Sequence, residues 1–501
     1  MRAAVKRFAS IFFALSLAVF AAAHVGSPNV LFEGAAGPYP VRVIVRPPEV
    51  VPGLAEVIVR VNASDVSEVA IKPVFWRAGA KGAPAADAMK RVPGDAQSYS
   101  GQLWLMARGA YSVYVTVTGA RGAGTAIVPV ASLATGRLPL SRGLGAILVV
   151  LGLALVAGFL TIIRAASGEA LVALGETFDA PRRRRANTIA AIAAPVMALL
   201  LFGGAKWWRA EDTTYQQSMY AAPAAMPTIV SDASHRTLRL DVRDTASFRA
   251  IYTPLIPDHG KLMHLFLIGA PGSNAFAHLH PVREDSTHAQ RFDVEVPALP
   301  AGRYTLYGDI LQENGLSLTV TNTVELPALA GPVTPSDADD AWSLAPAMAA
   351  APSAVVPLGD GYTLQWTRTD GAIASKQALD LTFTVHDPTG AVASLQPYLG
   401  MASHAVIARD DGSVFIHLHP MGTVATTAQE VFSARDRGDT TARGRLRPGA
   451  IDSAGMQGMS MQMAGTLSFP YEFPKPGRYR MWVQVRPKDR VLTGAFDVDV
   501  R

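Results

Sequence analysis

Two identical tetrapeptides, His278-Leu279-His280-Pro281 and His417-Leu418-His419-Pro420, decide the fold of the C-terminal half of this 501-residue chain. Each follows a run of strand-forming residues, at 263–268 and at 401–408, and a turn rich in Gly, Asn and Asp separates the run from the tetrapeptide. Two strand-forming runs on either side of such a turn are typical of a β-hairpin. The sequence therefore predicts two similar hairpins, each with a His-x-His near the end of its second strand.

The hairpin geometry brings an upstream histidine to each His-x-His. Side chains alternate between the faces of a strand, so the two histidines of each pair share a face. A first turn centred on residue 271 or 272 sets His264 opposite one of them, and a two-residue turn at Asp411-Gly412 sets His404 opposite His419. A slip of one residue would turn the upstream histidine away. The two predicted sites are His264, His278 and His280, and His404, His417 and His419.

Three converging imidazoles suit copper, zinc, nickel or iron, and soft methionine neighbours favour copper. A second cluster of methionines lies at 455–463 among Gly, Ser and Gln, where a thioether has no apolar neighbours to pack against. Such a loop favours Cu(I). The alternatives are a merely polar strand face and a flexible surface loop. The predicted methionine ligands are Met263, Met401 and Met421 beside the histidines, and Met456, Met459, Met461 and Met463 in the loop.

The composition narrows the chemistry. The chain has no cysteine, which excludes disulfides, thiolate metal sites and a Cys nucleophile. Any metal must therefore be held by His, Met and carboxylate groups, as copper or, less readily, zinc. The formal net charge of +5 comes partly from a block of four arginines, 182–185, beside an apolar segment. This block indicates membrane topology rather than a nucleic-acid partner.

Three apolar segments predict export and membrane anchoring. Residues 1–23 carry basic residues, a short apolar run and Ala21-Ala22-Ala23, as a secretory signal peptide does. Two further stretches, 143–163 and 188–205, are long enough to cross a bilayer as helices. The Arg-rich residues 164–187 are then a cytoplasmic loop, and both flanking parts of the chain lie on the exported side. We expect the inner (plasma) membrane of a bacterium, with these domains in the periplasm.

The remaining sequence is typical of short β-strands separated by Pro/Gly turns. The predicted fold class is mainly β, with three immunoglobulin-like antiparallel sandwiches at 24–140, 227–327 and 358–501 and a linker at 328–357. The two helices lie between the first and second sandwiches. In each sandwich a Gly-x-Tyr begins a late strand, with Tyr111, Tyr304 and Tyr479 as the aromatic residue. This pattern favours a tyrosine corner, which is a structural device.

The Met-His…His-Leu-His-Pro hairpins and the Gly-Arg-Tyr strands at 302–304 and 477–479 resemble the YtkA-like and FixH-like family of immunoglobulin-like extracytoplasmic domains. The resemblance covers about half of the chain. It implies a bacterial envelope protein concerned with copper handling or oxidase maturation, with an oxidase or a copper transporter as a possible partner. It supplies no ligand set, and the membrane insertion and the additional N-terminal domain depart from a single-pass architecture.

These patterns favour a membrane-anchored periplasmic copper-binding protein that acts in delivery, storage or resistance. The alternative is an interaction module that docks an envelope partner and whose histidines only shape its surface. An enzyme ranks third, because nothing in the spacing selects Asp309 or Glu313 as the base of a zinc hydrolase. A superoxide dismutase would need further histidines and usually a disulfide, which this cysteine-free sequence cannot form.

The topology can be tested with reporter fusions. We expect a reporter fused after Ala186 to behave as cytoplasmic, and reporters fused after Ala134 or Asp232 to behave as exported, because the arginine block and the signal peptide favour the same orientation. Paired alkaline phosphatase and fluorescent protein fusions measure this directly. An exported reporter after Ala186 would rule out the two-helix topology.

Overall fold

The computed structural model describes residues 29–169, 175, 179–231, 235–243, 253–284, 290–328, 337–351, 354–368, 371–451 and 463–501. The signal peptide and the loop residues Met456, Met459 and Met461 lie outside these ranges. The protein is mainly β, with several antiparallel sheets in sandwich-like regions and two long apolar helices between the first and second β regions. The chain forms two compact units, Gly136–Met219 and the remainder.

The first β region consists of two facing sheets. The strands are β1 (Val30–Ala36), β2 (Tyr39–Arg46), β3 (Gly53–Val61), β4 (Val66–Phe75), β5 (Asp87–Ala88), β6 (Lys90–Val92), β7 (Asp95–Leu105), β8 (Gly109–Gly119) and β9 (Gly122–Ser132), with a 3-10 helix at Ala80–Gly82. Their orders are β1-β2-β3-β7-β6 and β5-β4-β8-β9. Along β3 every second residue from Ala55 to Val61 is buried, so strict alternation supplies one side of the core.

Two helices make up the smaller unit, α1 (Arg142–Glu169) and α2 (Ala180–Gln217). Both are long and apolar enough to cross a membrane. The predicted spans 143–163 and 188–205 lie inside them. The predicted loop 164–187 is shorter than expected, because Asp179 caps α2 by accepting a hydrogen bond from the Arg182 N–H. The arginine block therefore lies in the first turns of a helix rather than in a loop.

The second β region is one continuous sheet of ten strands. They are β10 (Ala224–Ser231), β11 (Arg236–Arg243), β12 (Leu255–Ile256), β13 (His264–Gly269), β14 (Phe276–Leu279), β15 (Val282–Arg283), β16 (Arg291–Glu295), β17 (Gly302–Gln312), β18 (Ser317–Leu326) and β19 (Ala341–Ser343). The order is β15-β16-β11-β10-β18-β17-β13-β14-β19, and β12 pairs with β17. Phe292 of β16 and Ala277 of β14, from near the two ends of this sheet, share one hydrophobic core, so the sheet encloses its own interior.

The third β region has two main sheets and one helix. Its elements are β20 (Met348–Ala349), β21 (Val355–Gly359), β22 (Tyr362–Thr367), β23 (Ala378–His386), β24 (Ser394–Leu395), β25 (Ser403–Arg409), β26 (Phe415–Leu418), α3 (Thr426–Arg437), β27 (Met463–Ala464), β28 (Thr466–Glu472), β29 (Gly477–Val485) and β30 (Leu492–Val500). The sheet orders are β20-β30-β29-β25-β26 and β21-β22-β23-β28, with β24 paired to β27. The helix α3 was not predicted from the sequence.

The predicted linker 328–357 is partly structured. β19 pairs with the hairpin strand β14, and β20 runs parallel to β30 of the third β region. Short edge strands that complete another sheet have no periodicity of their own, so the sequence pattern does not indicate them. The segment thus joins two sheets through hydrogen bonds and reaches the second strand of the first histidine hairpin.

The three Gly-x-Tyr strands share one backbone contact. The Tyr304 and Tyr479 hydroxyls donate to the carbonyls of Pro300 and Lys475, at 2.9 and 2.7 Å, and the Tyr111 hydroxyl accepts from the Ala107 N–H at 3.1 Å. In each case the partner lies four residues upstream. The predicted structural role of these tyrosines is therefore confirmed, and it removes them from the set of functional residues.

The first β region packs on the third next to the second His-Leu-His-Pro. The Glu33 N–H donates to the Met421 carbonyl at 2.8 Å, and Phe32 bridges to Gly422. A Cβ at Gly422 would lie 2.2 Å from the Leu31 carbonyl oxygen, so only glycine permits this approach. An ion pair supports the contact, since Arg46 binds the fully buried Glu472 at 2.7 Å.

This ion pair predicts a stability effect. Replacement of Arg46 with Ala leaves the Glu472 carboxylate buried without its cation, so we expect a loss of about 3 kcal/mol in the free energy of unfolding. The matched control is Arg60→Ala, whose 3.6 Å partner Asp95 is exposed, and which should lose less than about 1 kcal/mol. Urea unfolding of the full chain in detergent measures both. Equal losses would contradict a buried pair at Glu472.

Candidate metal centre

The strand registers set the histidines of each hairpin on one face. In the first hairpin Phe266 lies opposite His278, so the ladder continues to His264 opposite His280. This is the register of a turn centred on Gly272, whose φ of 91° favours glycine. In the second hairpin Val406 lies opposite His417, and the ladder continues to His404 opposite His419, as the predicted turn at Asp411-Gly412 requires.

Both faces of each hairpin are covered. The face opposite the histidines carries Leu265 and Leu267 into the core of the second β region, and Ala405 and Ile407 into that of the third. The face with the histidines is also buried: His264, His278, His280, His404, His417 and His419 are between 0 and 7% exposed. The histidine face is buried because the two hairpins lie against each other.

Aromatic side chains hold the two hairpin faces together beyond the histidines. Tyr307 stacks on Phe415 with ring centroids 4.2 Å apart, and Phe276 stacks on Trp482 at 4.7 Å. Phe266 lies between these stacks and the histidines, 4.2 Å from the His278 ring. The contact between the second and third β regions is thus apolar at one end and made of imidazoles at the other.

A seventh buried histidine, His259, joins the cluster from a tight turn. Asp258 and Lys261 exchange backbone hydrogen bonds of 2.9 Å across His259 and Gly260, and both central residues have positive φ, 49° and 79°. Such a turn costs little for glycine but strains a histidine. Sequence reasoning missed His259, and the signal available was an Asp-x-Gly turn placed shortly before the first hairpin.

The same turn precedes the second hairpin. Tyr398 and Met401 exchange backbone hydrogen bonds across Leu399 and Gly400, which also have positive φ. Each turn begins six residues before the upstream histidine of its hairpin, so His259 and Leu399 occupy equivalent positions. The two regions therefore repeat a turn and a hairpin, but only the first copy carries an imidazole in the turn.

The structure brings six of these histidines together as two groups. In each group one nitrogen of every imidazole lies within 4.8 Å of the others. The groups are His264, His278 and His280, and His259, His404 and His419. The first is the predicted set, whereas the second contains His259 in the place where His417 was expected. The His417 ring lies close to both groups, 5.3 Å from His264 and 5.2 Å from His404.

Hydrogen bonds on the outer side of the first group fix its tautomers. The His280 Nδ1 lies 3.0 Å from the Asp340 carboxylate, and the His264 Nε2 lies 3.1 Å from the Asp258 carbonyl. The His278 Nδ1 lies 2.8 Å from the Gln484 Oε1. All three partners are acceptors, so each of these nitrogens carries the proton. The inner nitrogens, His264 Nδ1, His278 Nε2 and His280 Nε2, therefore present lone pairs.

The distance between two of these inner nitrogens is short for a pair of atoms that cannot form a hydrogen bond with each other. His264 Nδ1 and His278 Nε2 are 3.2 Å apart, and neither carries a proton in the tautomers fixed from outside. Nitrogens bound to one tetrahedral ion at about 2.0–2.1 Å lie about 3.3 Å apart. A cation between them converts the repulsion of two lone pairs into coordination. The first group could therefore hold a metal ion.

Other inner nitrogens are buried without a hydrogen bond in the described part of the chain. They are His280 Nε2, His404 Nδ1 and Nε2, His417 Nε2 and His419 Nε2. The outer nitrogen of His419 has a fixed role, because its Nδ1 donates to the Val424 carbonyl at 3.2 Å. An unsatisfied buried polar atom costs about 1–3 kcal/mol, so five of them in one cluster need a common explanation. A bound cation would satisfy the nitrogens that carry a lone pair, which leaves the protonated nitrogen of the neutral His404.

The residues that orient the ligands were not predicted from the sequence. Asp340 comes from the segment expected to be a linker, and its Oδ1 also accepts from the His280 backbone N–H at 2.9 Å. Gln484 comes from β29 of the third β region and reaches a histidine of the second. The Tyr398 hydroxyl donates to the Asp339 carbonyl, so its oxygen accepts from His278 Nδ1 at 3.0 Å. Such partners fix ring orientation and ligand basicity.

Four of the predicted methionine ligands lie in the described part of the chain. Met263, next to His264 in sequence, lies in the core of the second β region. Met421 packs against the core of the first β region and accepts a hydrogen bond from Thr426. Met401 is 8% exposed in its turn, and Met463 is half-buried in β27. Their role as ligands stays a prediction.

Burial favours the neutral form of five of these histidines. Removal from water lowers the pKa of His264, His278, His404 and His419 well below the ordinary value near 6.5, and neighbouring imidazoles lower these pKa values further. Burial also lowers the pKa of His259. Neutral imidazoles are the form that binds metals, so the environment favours coordination over protonation.

These shifts predict acid sensitivity of the metal-free protein. Below about pH 6.5 the unfolded chain binds protons at these histidines and the folded chain does not, so the free energy of unfolding falls as pH drops. Each histidine that stays neutral contributes about 1.4 kcal/mol per pH unit. We expect Tm to fall steeply between pH 7.5 and 5, less steeply for His404→Leu, and unchanged in slope for the control His386→Leu. A flat profile would contradict neutral burial.

Comparisons of the sequence and the fold with known proteins give only distant similarities. No curated protein matches the sequence. An α-2-macroglobulin from Escherichia coli covers 95% of this chain at 8% identity with a TM-score of 0.19, and the chain spans 23% of its length. A tandem repeat of a large adhesion protein covers 90% at 8% identity, with 71% of its own length and a TM-score of 0.16. Titin Z1Z2 covers 56% at 12% identity, with 99% of its length and a TM-score of 0.12.

Scores this low carry no argument about function. A family model gives the more specific match, and it covers the two β regions that meet at the histidines. All seven buried histidines lie inside the matched residues, whereas Asp340 lies between the two matched stretches. Residues 227–328 and 354–501 of this chain match the family described as "Domain of unknown function (DUF8832)".

Proposed function

We propose that this protein is a membrane-anchored, periplasmic copper-binding protein, and that the buried histidines at the contact of its second and third β regions are the binding site. One observation carries the proposal. Outer acceptors fix the tautomers of the first group so that three imidazole lone pairs converge in a buried space. A packing role would favour imidazoles that hydrogen-bond to one another, whereas with their outer nitrogens protonated His264 and His278 face each other with two lone pairs.

Copper is favoured by the ligand chemistry. Imidazole suits zinc and copper alike, but copper binds most tightly among the divalent ions of the first transition row. Cu(I) also accepts three neutral nitrogens without a charged ligand. The loop with Met456, Met459 and Met461 would offer Cu(I) a soft transfer site in addition to the buried one. Zinc is the less favoured cargo, since a nitrogen site of this kind binds it less tightly than copper.

The membrane anchoring and the compartment support the same role. The two apolar helices would hold the β regions at the membrane surface, and the arginine block at 182–185 favours a cytoplasmic connection between them. The β regions would then lie in the periplasm, and the protein would handle copper there rather than in the cytoplasm. The sandwich-like regions would be immunoglobulin-like domains similar to the YtkA-like and FixH-like family. Delivery to an oxidase or a transporter, storage and resistance all remain compatible with this site.

The burial of the histidines argues against the alternative of an interaction module. That hypothesis treats them as groups that shape an exposed surface, yet none of the six hairpin histidines is more than 7% exposed. Burying six polar rings without a ligand would destabilise the contact between the two β regions. A cation-binding role turns the same burial into an advantage, because a dry site binds an ion without competition from water.

Metal stoichiometry tests the proposal. The full chain in detergent, loaded with Cu(II), Cu(I) or Zn(II) and then desalted, should retain about two ions, one for each group. We expect His278→Leu/His280→Leu and His404→Leu/His419→Leu each to lose about one ion, and the combination to lose nearly all. Elemental analysis measures the retained metal. Leucine keeps the buried volume close to that of histidine, so the fold should survive.

The control is His386→Leu, which removes a histidine of the third β region that binds the Gly390 carbonyl and Gln365 instead. It should retain both ions. Circular dichroism and Tm show whether each variant is folded. Folded double variants that keep full stoichiometry would overturn the proposal, and so would a wild-type protein that retains no metal.

A further inference from the structure

The two histidine groups belong to one continuous cluster. The His278 ring lies 6.5 Å from His404, and the His259 ring lies 6.2 Å from His264, although these pairs belong to different groups. Two ions bound in the two groups would therefore be separated by about one imidazole. The hairpins were expected to carry separate sites, but their contact brings the sites together.

Comparison of the two hairpins explains why His417 belongs to neither group. By position in the hairpins, His417 corresponds to His278, which is a member of the first group. In the second group His259 from the neighbouring β region completes the set. His417 is therefore not part of the second group. Its ring lies 5.5 Å from His278 and 4.6 Å from His419. It occupies the space between the two groups.

The orientation of His417 supports a ligand role at this position. Its Nδ1 faces Asp309 at 3.5 Å, and its Nε2 is buried without a hydrogen bond. This contact is not a hydrogen bond, but the negative charge of the carboxylate favours the proton on Nδ1 and so leaves Nε2 as a donor of its lone pair. The free nitrogen of His417 is therefore available to an ion in either group.

A cavity opens on the same side of the cluster. It has a volume of about 190 Å³ and is lined by parts of all three β regions, including Val30, Lys261 and Asp309. Of the histidines, His264, His417 and His419 line it, so it touches one member of each group and the ring between them. Ions can reach both groups through this one opening.

We infer that the seven histidines form a single dinuclear centre, with one ion at His264, His278 and His280, a second at His259, His404 and His419, and His417 as an additional ligand between them. The inference rests on the proposed metal-binding function and extends it from two sites to one coupled pair. The second ion is held by ligands of both β regions, so the pair is complete only when these regions are docked.

Electron paramagnetic resonance of the full chain with Cu(II) tests the coupling without any variant. One equivalent should give an ordinary mononuclear spectrum. Two equivalents should give dipolar broadening and a half-field transition, because two unpaired electrons separated by about one imidazole interact strongly. Two bound ions with a spectrum that is the sum of two isolated sites would overturn the dinuclear centre and leave the metal-binding function intact. Failure to retain any copper would overturn both.

The role of His417 is tested by His417→Leu beside His386→Leu. Competition titrations should show weaker binding of both ions in His417→Leu, by about tenfold or more, and unchanged binding in the control. A change in Tm with unaltered affinities would show that His417 only packs between the groups. If His417→Leu does not fold, the spectrum of the wild-type protein at two equivalents still decides the inference.

Discussion

The outward hydrogen bonds of the buried imidazoles constrain everything else at this site. An imidazole has one proton to donate when neutral, and a strong acceptor on one side determines which nitrogen keeps it. The Asp258 carbonyl, Gln484 and Asp340 take those protons on the periphery, and the Val424 carbonyl does so for His419. The lone pairs are thereby directed inward, where no protein donor meets them in the described residues. The interior of the contact is therefore lined with the lone pairs of neutral imidazoles and lacks positive charge.

The same constraint shapes the architecture around the site. The acceptors come from a turn before the first hairpin, from the segment between the second and third β regions, and from β29. No single region could supply them, so the ligand geometry depends on docking of the two sheets. The aromatic stacks of Phe276 on Trp482 and Tyr307 on Phe415 provide an apolar part of that docking. The first β region adds a third wall through its backbone contacts with Met421 and Gly422.

Much of the local structure was predictable from residue pattern. Alternation and turn chemistry gave the hairpins and their registers, and apolar length gave the helices. The burial of the histidine face was not predictable, because β13 reads His-Leu-Phe-Leu-Ile-Gly and is apolar on both faces apart from His264. The layer that covers the histidine face lies far away in sequence. His259 and Asp340 were missed for the same reason. A tight turn and a short edge strand have no periodicity, and their function arises only from tertiary contacts.

The difference between His259 and Leu399 has a consequence for assembly. The three ligands of the first group all come from the second β region, whereas the other group draws His259 from one region and His404 and His419 from the next. An ion in the second group would therefore crosslink the two regions, and it would add about 2.7 kcal/mol to the docked state when present at 100 times its Kd. The strength of that crosslink would be set by the free ion concentration. The internal repeat is thus asymmetric, because only its second ligand group is shared between the two regions.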